Sequence, residues 1–187
     1  MTYKSSLLLF LVLLLAAAVF IDQTAGMLPE RLASHFDGGG AAKGFSTRSE
    51  YLKFIYTFTL GLPPAIVMLV SAMVRIAPAL VNVPHREYWM APERRDQTFA
   101  FLAHHAVWIG ILLLLFLSYV HWLVVAANLT VPAHLDGASI YGGLGVLLLA
   151  MAGWVAVLFG KFKAPAGKNS TPVRQDIARP HRPRRPS

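Results

Sequence analysis

The sequence predicts an all-α protein, an integral membrane bundle of four transmembrane helices. Of its 187 residues 56% are hydrophobic and only 14% are charged, and the apolar residues are concentrated in runs of membrane-spanning length. The chain has no Cys, which excludes disulfides, thiolate catalysis and Cys-ligated metal ions. We expect one transmembrane domain, residues 1–160, followed by a disordered basic tail, residues 161–187. The four predicted spans cover residues 5–22, 51–76, 98–127 and 139–160.

The first apolar run, Leu7 to Ile21, has two interpretations. It consists almost entirely of Leu, Val, Ala and Phe behind a single Lys4, and it is shorter than the roughly 20 residues that a transmembrane helix needs. A signal peptide would show the same basic start and apolar middle, with small residues such as Ala16 to Ala18 at the cleavage site. The pattern favours an uncleaved anchor.

A polar segment, residues 22–50, separates the first two runs. Within it Leu28, Leu32 and Phe36 recur at helical spacing, which predicts a short interfacial helix over residues 29–35. The three glycines that follow should end regular structure, and residues 43–46 are expected to form a turn. Ser49 is the expected cap of the second span.

The second span contains Pro63 and Pro64, which lack the amide hydrogen that a helix needs. Their presence frees the carbonyls of Thr59 and Leu60, and we expect the hydroxyls of Thr57 and Thr59 to compensate. A kinked helix that serves packing is one interpretation. A broken helix lining a substrate path is the other, and it would make the protein a small transporter or transporter subunit.

The last two spans differ in character. Pro92 and Glu93 suit the first turn of a helix, so the third helix should begin in water and enter the bilayer near Phe99. The fourth span has small residues that let transmembrane helices approach closely, within this chain or between copies in a homo-oligomer. These small residues are Gly142, Gly143, Gly145, Gly153 and Ala156.

The distribution of basic residues predicts the orientation. Lys and Arg collect on the cytoplasmic side of a membrane. With both termini in the cytoplasm, 13 of the 17 Lys and Arg lie inside, eight of them in the tail, residues 161–187, which we expect to contact anionic lipid. The four that lie outside are Arg31, Lys43, Arg48 and Lys53.

The loop between the second and third spans, residues 82–97, is the main candidate surface. It carries six charged residues around an aromatic pair, more than a simple turn needs. Its aromatic rings and arginines could anchor it at the headgroups of anionic lipid, or dock a protein partner. Glu87 and Glu93 could form ion pairs with the arginines. The candidate residues are Arg86, Tyr88, Trp89, Glu93, Arg94 and Arg95.

Metal, catalytic and nucleic-acid functions have little support in the sequence. An outer group of His35, Asp37, His121, His134 and Asp136 matches no metal-binding motif. The pattern places His121 in the outer aromatic belt and the pair at 104 and 105 near the inner interface. No catalytic arrangement of residues is evident, and the basic charge lies mainly in the tail. We therefore expect no metal, cofactor, enzymatic activity or nucleic-acid partner.

Two segments resemble a known family. The first is Leu28-Pro29-Glu30-Arg31, then His35-Phe36-Asp37, Gly40 and Gly44-Phe45; the second runs from Asn82 to Trp89 with Pro92 to Arg95. Together they are similar to a bacterial membrane family catalogued as domain of unknown function 1648. That family typically has Asn at the position of Asp37 and Trp at the position of Phe45. The resemblance covers roughly residues 5–125.

The resemblance implies a function. Part of the family is related to immunity proteins against a sporulation-delaying toxin, which also hold a repressor at the membrane. We expect their additional signalling domain to be absent here, so the resemblance does not imply their whole role. The family pattern implies that the first span is retained and that the protein is a multi-pass, non-enzymatic protein of the bacterial inner membrane, of the immunity, sensing or scaffold type. Its outer motif, His35, Phe36 and Asp37, would then meet a ligand or envelope component.

Overall fold

A computed structural model describes residues 2–163, and most of them are helical. Four helices are long and apolar enough to cross a membrane, which agrees with the predicted spans and indicates a multi-pass membrane protein. The predicted tail lies almost entirely outside the described residues. The elements are α1 (Tyr3–Ala25), β1 (Arg31–Phe36), β2 (Ala42–Thr47), α2 (Arg48–Tyr56), a π-helical turn (Thr57–Gly61), α3 (Leu62–Ile76), a 3-10 turn (Pro78–Leu80), α4 (Arg86–Trp89), α5 (Pro92–Asn128) and α6 (Gly137–Lys161).

Helix α5 is the centre of the bundle and packs against α1, α3 and α6. Helix α1 runs parallel to α5, since Tyr3 contacts His104 at one end and Thr24 contacts His121 at the other. One close contact is at Gly110, where a Cβ atom would lie 2.6 Å from a methyl of Val67 on α3. Lipid is as apolar as the side chains of membrane helices, so their association gains nothing from the hydrophobic effect. Close packing of this kind is what holds them together.

Helix α6 stands at the edge of the bundle, and none of its residues is buried. Its predicted small-residue packing within the chain is found at Gly143 alone, where a Cβ would lie 2.2 Å from the ring of Tyr119. A Cβ at Gly142, Gly145 or Gly153 would meet nothing within 4 Å. The remaining small residues therefore contribute little to packing in this chain.

The segment between α1 and α2 forms an antiparallel β-hairpin, so the predicted helix over residues 29–35 is wrong. A spacing of four residues fits two strand repeats as well as one helical turn, and on β1 it places Leu32 and Phe36 against the bundle. Leu28 and Leu32 are fully buried against Ile21 of α1. The predicted turn over residues 43–46 is part of β2.

The hairpin leads directly into α2 through a capping box at Thr47. The Thr47 hydroxyl accepts a hydrogen bond from the Glu50 amide, and the Glu50 carboxylate accepts from the Thr47 amide. This pair satisfies two amides that the helix leaves free. Thr47, not the predicted Ser49, is therefore the cap of the second span.

The tip of the hairpin is held by Asp37 and Gly40. The Asp37 carboxylate accepts hydrogen bonds from the amides of Gly39 and Ala41, at 3.0 and 2.9 Å, and Lys43 lies 3.5 Å away. The amide of Ala41 is the largest influence that lowers the pKa of Asp37. The Gly40 carbonyl accepts from the Leu135 amide at 2.9 Å, which attaches the tip to the loop between α5 and α6.

The second span is continuous through its two prolines. The turn before them widens to π geometry over Thr57–Gly61, a local adjustment by which transmembrane helices tolerate proline. The hydroxyl of Thr57 donates to the Lys53 carbonyl at 2.8 Å, and the buried hydroxyl of Thr59 has no hydrogen-bond partner within residues 2–163. The prediction that these hydroxyls serve the freed carbonyls is therefore wrong.

Replacement of Gly40 by Ala should destabilise the folded protein by more than about 1 kcal/mol. Gly40 has φ +86°, and a Cβ there would lie 2.1 Å from the Leu135 carbonyl oxygen. Gly39→Ala is the control, because its Cβ would meet only the Asp37 carboxylate at 3.5 Å. Thermal unfolding in detergent measures both, and equal melting temperatures for the two variants would contradict this account of the tip.

Candidate binding surfaces

The loop between α3 and α5 folds into a compact cap, residues 77–98, which we call the inner cap after the side of the membrane predicted for it. Val81 and Val83 are buried together with Val74 of α3 and Phe162 at the end of α6. The half-buried ring of Trp89 packs against the same cluster. The cap thus joins the ends of three transmembrane helices instead of merely connecting two.

Arg86 closes the start of the inner cap. Its Nε donates to the Val81 carbonyl at 3.1 Å, and one Nη donates to the carbonyls of Pro78 and Ala79 at 3.4 Å. The planar guanidinium serves several acceptors at once, which a lysine ammonium would not reproduce. Arg86 is therefore largely committed to the fold.

Trp89 connects the inner cap to α6. Its indole nitrogen donates to the Lys163 carbonyl at 3.3 Å, and its ring meets Phe162 edge to face at 5.6 Å. The ammonium of Lys161 lies 5.1 Å from the centre of the Trp89 ring. The Thr98 hydroxyl donates to the Trp89 carbonyl at 2.8 Å. Trp89 therefore does more than the predicted headgroup anchoring.

The remaining candidate residues of the inner cap are less engaged in the fold than Arg86 and Trp89. Arg94 stacks over the ring of Tyr88, with 4.0 Å from its guanidinium carbon to the ring centre, whereas Glu93 and Arg95 are exposed. Over residues 2–163 the ion pairs within 4.0 Å are Asp37–Lys43 and Glu30–Arg48, both beside the hairpin. The predicted pairing of Glu87 and Glu93 with the arginines of the cap is therefore wrong.

The outer motif separates into three roles. Asp37 holds the hairpin tip, and Phe36 packs beside the buried Leu28 and Leu32. His35 is exposed, with its Nδ1 3.2 Å from the Ser34 hydroxyl. It lines a cleft of about 260 Å³, whose other lining residues are Ser34, Ser46, Glu50, Tyr51 and Phe54. Of the three motif residues, His35 is the one best placed to meet a ligand.

His121 is fully buried at the centre of the bundle, so its predicted place in the aromatic belt is wrong. Its Nε2 lies 2.8 Å from the Thr24 hydroxyl and its Nδ1 lies 2.8 Å from the Tyr51 hydroxyl. The Thr24 hydroxyl also lies 2.8 Å from the Phe20 carbonyl, which can only accept, and this favours the Nε2–H tautomer of His121. In that tautomer Nε2 donates to Thr24, and Nδ1 accepts from the Tyr51 hydroxyl.

The adjacent pair His104 and His105 takes two different positions. The ring of His105 stacks on Trp154 of α6 at 4.3 Å, and its Nε2 lies 3.0 Å from the Trp154 carbonyl. The Trp154 indole donates in return to the His105 carbonyl at 3.0 Å. His104 is half-buried, lies beside Tyr3 at the start of α1, and accepts from the Trp108 indole at 3.2 Å.

The outer His and Asp residues do not assemble into a metal site. His121 has both ring nitrogens engaged inside the bundle, while Asp37 and Asp136 cap local backbone. Over the described part of the chain, no three His, Asp or Glu side chains are grouped to hold a metal ion.

Comparisons with known proteins give no further guide. No protein-family model matches the chain, and searches of curated proteins and of solved structures find no match. The resemblance drawn from the two sequence segments therefore stays a prediction.

Sequence reasoning missed two sets of residues that the structure brings together. Lys161, Phe162 and Lys163 complete the inner cap; an apolar ring between two lysines directly after a span was the available signal. Asn128 pairs its side-chain amide with the backbone of Ala33, at 2.8 and 2.9 Å, and so fastens β1 to α5. No local pattern indicates a contact between residues this distant in the chain.

Replacement of Tyr51 by Phe should destabilise the bundle by about 1 kcal/mol, because Nδ1 of the buried His121 would lose its hydrogen-bond partner. The matched control is Tyr141→Phe, since the exposed Tyr141 hydroxyl makes only a 3.4 Å bond to the Gly38 carbonyl. Reversible unfolding in detergent compares the two variants. A Tyr51→Phe protein as stable as Tyr141→Phe would argue against the assigned network.

Proposed function

We propose that this protein is a non-enzymatic, multi-pass protein of the bacterial inner membrane, of the immunity, sensing or scaffold type. Its inner cap recognises an acidic group, on anionic lipid or on a cytosolic protein, and its outer hairpin meets a ligand or envelope component. The observation that carries the proposal is the folded cap, in which side chains of one loop join three helix ends.

The cap presents two cations on one aromatic pair. The rings of Tyr88 and Trp89 are 5.1 Å apart, Arg94 stacks on the first ring, and Lys161 lies over the second. Stacking restrains the direction of a long cationic side chain, which lowers the entropy lost when an anion binds. A loop that only reversed the chain would not need this arrangement.

The outer side offers His35 in the lining of a small cleft. The same lining includes the aromatic residues Tyr51 and Phe54 and the carboxylate of Glu50. Because Tyr51 also bonds the buried His121, a ligand in this cleft would contact a residue connected to the bundle core. This connection supports a sensing role for the outer side.

The arrangement gives less support to catalysis or transport. The sequence-based case for an enzyme would use His85 with Glu87 or Glu93 as an acid–base pair, and no hydrogen bond joins them among the described contacts. Within residues 2–163 the second span continues through Pro63 and Pro64 as one helix, whereas the transporter alternative calls for a broken one.

The proposed orientation, with both termini and the inner cap in the cytoplasm, predicts a labelling pattern. In intact cells a thiol probe that does not cross membranes should label Gly39→Cys and should not label Glu87→Cys. Both residues are exposed in the fold, and the chain has no native Cys to react. Permeabilised cells provide the control, in which both variants should react. The reverse pattern in intact cells would reject this orientation.

The role of the inner cap predicts a weakened anion response when Arg94 and Arg95 are both replaced by Lys. A short polyglutamate peptide should stabilise the wild-type protein in detergent, and the double variant should need about tenfold more peptide, the equivalent of one charge-assisted hydrogen bond. The reason is that Lys keeps the charge but lacks the planar fork that binds a carboxylate at two points.

Arg31→Lys is the matched control for this experiment. Arg31 also lies over an aromatic ring, that of Phe45 at 5.7 Å, but on the hairpin at the opposite end of the bundle. The Arg31→Lys substitution should leave the stabilisation by polyglutamate unchanged. If the double variant responded like wild type, or lost its peptide response only in proportion to a lower stability without peptide, the cap would be a structural turn and the proposal would fail.

A further inference from the structure

Helix α6 is held at a distance from α5 by three separate attachments. At the outer end the Tyr119 hydroxyl donates to the Ser139 carbonyl at 2.8 Å. In the inner half, His105 and Trp154 stack and exchange hydrogen bonds with each other's backbone. Beyond them, Phe162 packs into the inner cap. The large rings at these attachments keep α5 and α6 apart in the stretches between one attachment and the next.

The space between the attachments is a groove along α5 and α6, with an outer cleft of about 480 Å³ and an inner cleft of about 380 Å³. Leu112 and Ala150 line both clefts, so the groove is continuous. Its rim is exposed, since Val146 and Val157 of α6 are 68% and 59% accessible. The groove therefore opens toward the surroundings of the bundle, which in a membrane are acyl chains.

The inner cleft has the depth of one leaflet. It extends along α5 from Phe101 to Leu112, a rise of roughly 16 Å for a helix that advances 1.5 Å per residue. Half of a hydrocarbon core of about 30 Å is close to this length. A single acyl chain entering from the inner headgroup level would reach the other end of the cleft near mid-membrane.

The inner mouth of this cleft carries a cation. Lys161 places its ammonium 5.7 Å from the centre of the Phe101 ring, and Phe101 lines the cleft. Lys161 is exposed, and none of its described neighbours within 4.0 Å is a carboxylate. It is therefore available to an anionic group at the membrane surface.

His104 adds a hydrogen-bond donor one helical turn further along α5. An indole nitrogen can only donate, so Nε2 of His104 accepts the bond from Trp108. Nδ1 is then the donor of the His104 ring, and it has no hydrogen-bond acceptor among the described residues. His104 lines the inner cleft, which has otherwise mainly apolar walls.

From these observations we propose that the inner cleft binds one anionic phospholipid of the inner leaflet. An acyl chain lies between α5 and α6 along Trp108 and Trp154, and the phosphate is held by Lys161 with help from His104. The charge at the mouth selects an anionic headgroup over a zwitterionic one. The site shares Lys161 with the inner cap and rests on the proposed orientation, but it uses neither Arg94 nor Arg95, so the lipid test and the polyglutamate test can fail separately.

The site can be tested by fluorescence quenching with brominated phosphatidylglycerol in phosphatidylcholine vesicles. Two of the four tryptophans in the chain, Trp108 and Trp154, line the cleft, so a bound brominated chain should quench a large part of the emission. Brominated phosphatidylcholine at the same fraction should quench less. The preference for the anionic lipid should be about fivefold, as expected for one basic residue near a membrane surface.

Two pairs of variants separate the chain site from the headgroup site. Gly153→Leu should fill the cleft and reduce quenching by either lipid, because Gly153 lines it and a Cβ there meets nothing within 4 Å. Gly145→Leu is its control, on the same helix, with equal space and outside both clefts. Lys161→Gln should remove the anionic preference and leave chain binding intact, whereas Lys163→Gln should retain both.

Several results would overturn the proposal. Equal quenching by the two brominated lipids in wild type would remove the headgroup site. Identical behaviour of Gly153→Leu and Gly145→Leu would remove the chain site, provided that thermal unfolding shows both variants folded. A dimer in these vesicles that Gly153→Leu dissociates would make the groove an interface between copies of this chain. A wild-type protein that polyglutamate does not stabilise, in contrast, would count only against the Arg94 and Arg95 surface of the inner cap.

Discussion

The hydrogen bonds of His121 are the constraint on which the bundle depends. Inside a membrane a polar side chain has no water with which to form hydrogen bonds, so each of its hydrogen-bonding atoms needs a protein partner. Thr24 of α1 and Tyr51 of α2 provide those partners, and both must approach α5 at the same height. One imidazole thereby fixes the relative height of three spans, which apolar contacts alone would leave free to slide.

The same device recurs along α5, with backbone carbonyls as the partners. His105 and Tyr119 each reach the main chain of α6, and Asn128 reaches that of β1. Side chains that bond to backbone hold a neighbour in place without requiring a matching polar residue on it. This explains how α6 can keep its position although none of its own residues is buried.

Much of the fold could be predicted from the sequence, because span length and hydropathy are local properties. The four spans and the first turn of α5 at Pro92 are of this kind. The hairpin could not be predicted in the same way, because the four-residue spacing of Leu28, Leu32 and Phe36 is compatible with both a helix and a strand. Contacts with distant residues, including Asn128, decide that this segment is a strand.

The candidate surfaces could likewise be predicted only in part. Composition identified the aromatic and arginine-rich inner loop, but it could not tell which of its residues serve the fold. Arg86 and Trp89 turn inward to carbonyls, while Arg95 remains exposed. The direction of a side chain depends on acceptors such as the Lys163 carbonyl, which lies 74 positions from Trp89.

The attachment of Asn128 has a consequence for covalent modification. Asn128-Leu129-Thr130 fits the acceptor pattern for asparagine-linked sugars. In the folded protein its amide nitrogen donates to the carbonyls of Ala33 and Val124, and its oxygen accepts from the Ala33 amide. The Thr130 hydroxyl is also engaged, with the Ala127 carbonyl. A glycosyltransferase would therefore find this acceptor only before the hairpin has docked, and a sugar added then would keep β1 from reaching α5.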